Sequence, residues 1–265
     1  KPIDVSGLTF GTNGWYFDFK DSSNLGNDAN GGTDFSETGI AAADQATDTP
    51  TNNFATMNPL DNFYQGYTYS EGNLLVTQAS AAWVKAASTI GMSAGKWYWE
   101  AKWVGDNSGS GSWLVVGVDN NTTASTTSGY TSTSVGWKKN GDIGVAETLQ
   151  TDIATYAEGD ILSVALDMDN DAIYFRKNGA SWENSGDPTS GATKTGAYSL
   201  PVANSTYFAT ISPYDTSIAG MNFGGCPSFA ISSGNADADG YGNFEYAPPS
   251  GYYSLCTKNL GAYGG

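Results

Sequence analysis

The sequence GDILSVALDMDNDAIYFRKNG, at Gly159–Gly179, carries the strongest secondary-structure signal in this chain. Two apolar runs, Ile161–Met168 and Ile173–Phe175, flank the acidic turn sequence at residues 169–171. Side chains alternate between the two faces of an extended strand, so each run places its apolar residues on one face. Asp and Asn tolerate the dihedral angles of tight turns. The stretch therefore predicts a β-hairpin in an antiparallel sheet with one face buried.

The segment Lys96–Val104 is predicted to be a strand with one aromatic and one polar face. Trp97, Trp99 and Trp103 alternate with polar and charged neighbours, among them Glu100. Aromatic residues at strand spacing are more typical of a core than of a sugar-stacking platform. We therefore expect these rings to lie between two sheets, and we expect Glu100 to be exposed on the opposite face.

Short apolar segments separated by Gly, Asn and Pro continue along the chain. Trp113–Val118 is apolar on both faces, which is typical of a central strand, and residues 140–141, Asn-Gly, are a strong hairpin signal. No segment carries a convincing helical repeat. The predicted fold is therefore all-β, a two-sheet antiparallel β-sandwich. The other predicted strands are Leu74–Thr77, Val135–Lys139, Tyr207–Ser212 and Ile218–Phe223.

The chain is predicted to hold a central sandwich between two arms. Residues 1–65 contain one short strand, Trp15–Phe19, followed by turn-forming residues and by two prolines that argue against regular structure. Residues 66–225 carry the regularly spaced strands, and residues 226–265 form a tail rich in Gly and Tyr. We expect the N-terminal arm to wrap the sandwich rather than fold alone.

The charge balance argues against two classes of partner. The chain has 27 acidic residues against 11 basic ones, a formal net charge of -16, and a single arginine, Arg176. Nucleic acids and anionic membranes are bound by clustered Lys and Arg. No stretch has the roughly 18 consecutive apolar residues that a membrane helix needs. We therefore expect no nucleic-acid partner and no membrane.

The absence of histidine excludes most catalytic arrangements. With no His in the chain, neither Ser-His-Asp nor Cys-His catalysis is available. Carboxylate catalysis remains, and glycoside hydrolases built on similar sandwiches use acids that converge on one cleft. No glutamate here has a second acid two residues away on a predicted strand. We therefore expect no enzymatic activity, no catalytic residue and no cofactor.

Several acidic segments contain part of a metal-binding pattern. Asp167, Asp169 and Asp171 have the spacing that begins an EF-hand loop, but Ala172 and Asn178 stand where that loop needs Gly and Glu. We interpret these acids as caps of the hairpin turn. The acids at 237 and 239, and those at 28 and 34, are oxygen-rich loops that we interpret as solvated. No metal site is predicted.

The two cysteines leave two alternatives. Cys226 and Cys256 lie 30 residues apart, each beside turn-rich sequence. They could form a disulfide if the tail folds back on the sandwich, or remain two unpaired thiols. Two cysteines without histidine do not make a zinc site.

Five blocks of the chain occur in the order found in a SPRY domain. They begin with GKWYWEAKW (95–103) and VGVDN (116–120), continue with VGWKKNGDI (135–143) and EGDILSVALDMDNDAIYFRKNG (158–179), and end with YFATISPYDTSIAGMNFG (207–224). Residues 66–225 thus resemble a SPRY domain. The resemblance implies a concanavalin A-like, jelly-roll sandwich that binds partners through loops at one end and performs no catalysis.

The flanking segments extend the resemblance to structural proteins of tailed bacteriophages. The segments at 14–35, 47–61 and 248–260 resemble those that bracket SPRY-like domains in such proteins. The first also resembles the first strand of laminin-G-like jelly rolls, which implies that Trp15–Phe19 and Ile218–Phe223 complete one sheet. The resemblance implies a virion component, a tail fibre, head fibre or capsid decoration protein, at the particle surface. Its implied partners are other virion proteins, further copies of itself, and a host-surface glycan or protein.

Recognition residues are predicted on loops. Three loops are long and polar: 105–112, 120–133 and 181–199. Aromatic rings in loops supply contact area at little entropic cost. The predicted ligand-binding residues are Tyr130, Trp137, Trp182 and Tyr214. Each has the alternative of being a packed structural residue, and Trp137 more than the others because it lies in a strand block of the family pattern.

Two other functions remain as alternatives. The chain could be a free lectin-like or protein-binding adaptor with no role in assembly. It could also be a polysaccharide-degrading enzyme on a jelly roll, which the absence of paired acids on strands disfavours.

Overall fold

The structure is a computed structural model of the chain. It describes residues 5, 7–40, 45, 48–60, 66–106, 111–123, 126–150 and 153–265. Two β-sheets stack face to face in this part of the chain, which confirms the predicted all-β antiparallel sandwich.

Fourteen strands and one short helix make up the described regular structure, together with two 3-10 turns, Glu183–Ser185 and Pro188–Thr193. The elements are β1 (Tyr67–Ser70), β2 (Leu75–Gln78), β3 (Ala86–Met92), β4 (Lys96–Asp106), β5 (Trp113–Asp119), β6 (Ser134–Lys138), β7 (Ile143–Val145), β8 (Thr148–Gln150), β9 (Ile161–Asp167), β10 (Ala172–Lys177), β11 (Tyr198–Ser199), β12 (Tyr207–Tyr214), β13 (Ser217–Asn222), β14 (Tyr253–Ser254) and α1 (Thr257–Tyr263).

The strands divide into sheets of eight and six. The eight-stranded sheet has the order β1-β2-β13-β4-β9-β10-β11, with β14 pairing in parallel with β4, and the six-stranded sheet has the order β3-β12-β5-β6-β7-β8. β5 lies between β12 and β6, as its apolar sequence predicted. β6 and β7 form the hairpin predicted at Asn140-Gly141.

The hairpin at Gly159–Gly179 is confirmed, but both faces of β9 are buried, and not one face as predicted. β9 and β10 pair antiparallel from Ala172 opposite Asp167 to Lys177 opposite Leu162. The Asp167 carboxylate accepts hydrogen bonds from the backbone N and the side-chain Nδ2 of Asn170, at 3.1 and 2.9 Å. The same carboxylate pairs with Lys96 Nζ at 2.9 Å on β4. The acids of this stretch therefore cap the turn and join the hairpin to its neighbour.

The core lies between the sheets, and the tryptophan face of β4 is part of it. Trp97 and Trp99 are fully buried and Trp103 nearly so. They pack in one cluster with alternate residues of β9, β10, β5 and β12, such as Val164 and Val116. The prediction that this aromatic stripe is core is confirmed.

Glu100 corrects the expectation for the other face of β4. The side chain is fully buried rather than exposed. Its carboxylate accepts hydrogen bonds from the backbone N of Glu245 and Tyr246 at 2.9 and 2.8 Å, and from Tyr98 Oη at 2.9 Å. Burial raises the pKa of Glu100, and these donors oppose the rise. The outer face of the eight-stranded sheet is therefore covered by the C-terminal segment.

The C-terminal segment is more ordered than a Gly- and Tyr-rich tail suggests. Phe244 and Tyr252 are buried against Tyr98 and Tyr174 on the outer face of the eight-stranded sheet. Asp237, which we expected to be a solvated acid, is only 8% exposed. Its carboxylate accepts hydrogen bonds from the backbone N of Tyr241 and Ser254 and from the side chains of Ser254 and Asn259. Asp28 likewise is buried, with the backbone N of Tyr16 as a donor at 2.9 Å.

The N-terminal segment differs from the sequence expectation. Residues 15–19 form no strand, and Phe19 has a positive φ of 52°, so the prediction that Trp15–Phe19 joins a sheet with β13 is wrong. The place beside β13 is taken by β2 and β4. Aromatic rings of the segment contact each other instead, with Phe17 and Phe35 in edge-to-face contact at 5.1 Å. Farther along, Phe54 and Met57 are buried, and Ala55 N donates to Leu255 O at 2.9 Å.

No disulfide joins the two cysteines: Cys226 is exposed and Cys256 is buried. In the described ranges, no helix is long and apolar enough to cross a membrane. No group of three or more Cys, Asp or Glu side chains that could hold a metal ion occurs among the residues that the structure describes.

Candidate binding surface

The outer face of the six-stranded sheet brings together two of the predicted recognition residues. Alternate residues of β5, β6 and β12 point into the core, so those between them point outward. Tyr214 lies opposite Trp113 at one end of this face. In the next outward row, Ser212 lies opposite Val115, and Val115 lies opposite Lys138. The face therefore runs from an aromatic end to a polar row.

Three rings form the aromatic end. Trp83, in the loop between β2 and β3, stacks on Tyr214 with 4.1 Å between ring centroids and 20° between planes. Trp113 meets Trp83 edge to face at 6.1 Å. Trp83 is 38% exposed, and Trp113 and Tyr214 are partly buried. The sequence analysis missed Trp83 and Trp113, because nothing in a local pattern shows that the loop before β3 folds onto the end of β12.

Two lysine side chains lie against aromatic rings on this face. Lys139 Nζ donates to the backbone O of Ser112 and lies 4.6 Å from the centre of the Trp113 ring. Lys138 Nζ lies 3.5 Å from the centre of the Tyr130 ring. Such contacts between a cation and a ring face are attractive and hold the ring in one orientation.

Lys138 has an uncommon environment. The residue is 2% exposed, and its Nζ has no hydrogen-bond partner among the described residues. Loss of hydration lowers the pKa of Lys138 to about 8, and the charge of Asp142 opposes this shift. Tyr130 covers the amine yet is 42% exposed itself. Tyr130 is thus the accessible part of a buried cation–ring pair.

The loop that carries Tyr130 is held against the sheet by a buried polar cluster. Asp119 at the end of β5 is fully buried and pairs with Lys85 Nζ. The hydroxyls of Thr131 and Thr133 donate to the same carboxylate at 2.9 and 2.6 Å. Because both ends of these bonds lie on packed strands or next to them, the orientation of the loop is determined before any ligand binds.

Glycine allows the loop to lie flat on the sheet. A Cβ built on Gly136 of β6 would stand 2.4 Å from the backbone O of Ser128, and one built on Gly144 of β7 would stand 2.4 Å from the backbone O of Gly129. The Ser128 hydroxyl also bonds to the hydroxyl of Thr210 on β12. Backbone therefore packs on backbone here, which only residues without a side chain permit.

The other two predicted residues lie elsewhere. Trp137 is fully buried between the sheets, where its Nε1 donates to the backbone O of Ala154 at 3.1 Å, so its ring is a packed core residue and not a surface contact. Trp182 lies at the eight-stranded sheet, with the Arg176 guanidinium 4.6 Å from its ring centre and Tyr174 in edge-to-face contact. Tyr130 and Tyr214 are the pair that the fold places on one face.

The comparisons with known proteins agree with this architecture. Residues 96–225, just under half of the chain, match the family model of the SPRY domain. The two-sheet antiparallel β-sandwich agrees with the fold that the resemblance in the sequence implied.

Among solved structures, the SPRY domain of human HERC1 is similar with a TM-score of 0.49 and 19% identity, over 62% of this chain and 96% of that one. Stonustoxin gives 0.46 and 17%, over 63% and 27%. The PSpry domain of TRIM65 gives 0.47 and 12%, over 64% and 89%. A search of curated proteins found no match to this sequence.

Proposed function

We propose that this chain is a non-catalytic structural component of a bacteriophage particle, a tail fibre, a head fibre or a decoration protein. It lies at the particle surface and assembles with other virion proteins and with copies of itself. The support is the likeness of segments 14–35, 47–61 and 248–260 to the flanks of SPRY-like domains in phage structural proteins. A net charge of -16 and the lack of histidine are in keeping with a surface that binds and does not catalyse.

The SPRY-like domain recognises its partner, a host-surface protein or glycan, through the outer face of the six-stranded sheet, which carries both the aromatic end and Tyr130. The observation that carries this proposal is the exposure of Trp83 and Tyr130, at 38% and 42%, while Trp83 stacks on Tyr214 and Tyr130 packs on Lys138. Rings held in place by stacking or by a cation lose little conformational entropy on binding. Trp and Tyr are enriched among the interface residues that contribute most of the binding free energy.

The assembly role is tested on purified particles. Mass spectrometry and gel densitometry of virions from the source phage should find the protein as a stoichiometric band. Absence of the protein from purified particles would refute the virion role and would favour the second candidate, a free adaptor. The match of residues 96–225 to the SPRY family model supports that candidate, because the SPRY domain is a protein-binding module.

The binding role is tested on host cells. Fluorescently labelled protein should bind the host surface, and Trp83→Ala or Tyr130→Ala should weaken that binding about tenfold or more. Trp182→Ala, on the other sheet, is the matched control and should bind like the unmodified chain. Equal losses in all three variants, or a loss in Trp182→Ala alone, would move the contact surface away from the six-stranded sheet. Treatment of the cells with protease or periodate separates a protein receptor from a glycan.

The oligomeric state separates the two candidates at little cost. A virion component of this kind should self-associate, whereas a free adaptor should remain a monomer. Light scattering after size exclusion at micromolar concentration measures this, and a monomeric chain at all concentrations would contradict the homo-oligomer.

A further inference from the structure

A groove at the C-terminal end of the matched SPRY range opens between three separate parts of the chain. The segment 48–56, the turn between β1 and β2, and the segment that follows β13 line a cavity of about 290 Å³. A second cavity of about 330 Å³ lies beside it along the segment 227–231. The two cavities share Glu71 and Pro227, so they form one groove. Cavities of this size are within the range of ligand-binding sites.

The walls of the groove are largely apolar. Phe54, Leu74 and Phe223 line the first cavity, and Phe229 and Ile231 line the second. Phe54, Leu74 and Phe223 are buried residues, with relative exposures of 7%, 5% and 1%. The wall of the first cavity is therefore well packed. The floor is therefore suited to an apolar side chain that enters from outside.

Two carboxylates stand at this apolar surface. Asp48 is exposed and uses one carboxylate oxygen to accept a hydrogen bond from the backbone N of Phe54 at 2.9 Å. Glu71 is exposed, and within the described residues its carboxylate has no hydrogen bond and no ion pair. No Lys or Arg occurs among the described residues that line either cavity. The groove thus combines apolar walls with uncompensated negative charge.

A strained turn places Glu71 at the junction of the two cavities. Glu71, Gly72 and Asn73 have positive φ values of 48°, 63° and 65° in succession. Leu74 N donates to the backbone O of both Ser70 and Glu71, at 3.1 Å each, which closes the turn. A glutamate in the left-handed region is unfavourable relative to glycine. Strain of this kind is concentrated at functional positions.

We propose that this groove binds a segment of a partner protein in which an apolar side chain is followed by Lys or Arg. The apolar side chain occupies the cavities, and the cation pairs with Glu71 and with the second oxygen of Asp48. The chain's net charge of -16 attracts such a segment from a distance and repels an acidic one. This site is separate from the aromatic surface of the six-stranded sheet, and it stands whether or not that surface binds a host receptor.

The first test uses small probes that carry the two features of the partner. 4-Phenylbutylamine and 4-phenylbutyric acid have the same hydrocarbon part and opposite charges. In titrations followed by ¹⁵N NMR, the amine should shift the signals of residues 71–74 and 225–229 and bind about two- to fivefold more tightly than the acid, as expected for an exposed ion pair. Equal affinities, or shifts confined to other residues, would overturn the proposal.

Matched variants separate the site from the general negative charge of the protein. Glu71→Gln and the control Glu158→Gln change the net charge equally, and Glu158 is an exposed acid in the loop before β9. Glu71→Gln should remove most of the preference for the amine, and Glu158→Gln should preserve it. Asp48→Asn keeps an oxygen for the bond to Phe54 N and should reduce the preference partly. An unchanged preference in Glu71→Gln would refute the assigned role of that carboxylate.

Cys226 supplies a second, independent readout, because it is exposed and lines the first cavity. Its thiolate attacks one sulfur of a disulfide reagent, so that a mixed disulfide forms and the other half leaves as a thiolate. Cystamine should react faster than 3,3′-dithiodipropionate, and Glu71→Gln should reduce this rate ratio about two- to fivefold while Glu158→Gln does not. Cys226→Ser gives the background. A dimer that dissociates in Glu71→Gln would assign the groove to a second copy of the chain and overturn the proposal of a separate partner.

Discussion

At the scale of single residues, several charged side chains are buried and hold loops and the C-terminal segment in place. Lys85 and Asp119 form a fully buried ion pair at the foot of the loop that carries Tyr130. Glu100 is buried beneath the C-terminal segment. Lys138 is buried without a hydrogen-bond partner in the described part of the chain. Buried charges are costly unless they are paired, so each of these side chains makes stability depend on its partners.

The first prediction concerns pH and Lys138. Its pKa is about 8 in the folded protein, below the ordinary value of 10.5, so the folded state binds fewer protons than the unfolded state between these pH values. The penalty for burying the charge is therefore fully present below about pH 8, and it is relieved as the pH rises towards 10.5. Lys138→Met should be more stable than the unmodified chain at pH 7, and this advantage should shrink by pH 10. Urea unfolding of both proteins measures the difference, and a constant gap would contradict the lowered pKa.

The second prediction concerns the Lys85–Asp119 pair. Lys85→Met leaves the carboxylate of Asp119 buried with only hydroxyl and amide donors, and should lower the free energy of unfolding by about 3–5 kcal/mol. Lys85→Met combined with Asp119→Asn removes the uncompensated charge and should recover part of that loss. Denaturant unfolding of the single and double variants checks this. Losses that simply add would show that the two side chains are not coupled.

At the scale of elements, alternation along the strands was a sound guide to the core. The residues of β4, β9 and β10 that were predicted to face inward do so. Alternation gave wrong predictions for the exposure of Glu100 and for a strand at Trp15–Phe19. Alternation shows that a strand has two faces, but it does not show what covers each of them. The aromatic spacing of residues 15–19 is equally satisfied by rings that contact each other in a non-strand segment.

The third prediction concerns the contact between the loop and β6. Gly136→Ala places a Cβ 2.4 Å from the backbone O of Ser128, so the loop must move away from the sheet. The variant should lose about 1–3 kcal/mol of stability, as for other overpacked sites, and Tyr130 should become more mobile in NMR relaxation. Gly261→Ala in α1 meets nothing within 4 Å and should instead be neutral or stabilising by up to about 1 kcal/mol. Equal effects of the two variants would show that the loop is not in close contact with the sheet.

At the scale of the whole molecule, both sheets have covered outer faces. Loops cover the six-stranded sheet and leave an aromatic end accessible, whereas the segment 235–263 covers the eight-stranded sheet. Arg176, the one arginine, lies between this segment and the sheet and donates to Tyr98 Oη and the backbone O of Ala247. The matched SPRY range ends at residue 225, so the covering segment is an addition to that domain.

The fourth prediction concerns the attachment of the C-terminal segment. Asp237→Ala removes the acceptor for donors from residues 239, 241, 254 and 259 and should lower stability by about 2–4 kcal/mol. The segment should then become sensitive to limited proteolysis before the sandwich does. Asp239→Ala removes an exposed acceptor of one side-chain bond, from Tyr263, and is the control. Cleavage at the same rate in both variants would show that Asp237 does not hold the segment.

Local sequence patterns were enough to predict the all-β fold, the central hairpin, the aromatic core and the resemblance to a SPRY domain, because each depends on neighbours along one strand. The sequence also limited the chemistry, since a chain without histidine lacks whole classes of catalysis. Three features could not be predicted in this way: Glu100 is buried, Trp137 is a core residue, and Trp83 stacks on Tyr214. These outcomes depend on contacts between distant segments, such as Glu100 and Tyr246, 146 residues apart. Local sequence patterns carry no information about which distant segment packs on a given face of a sheet.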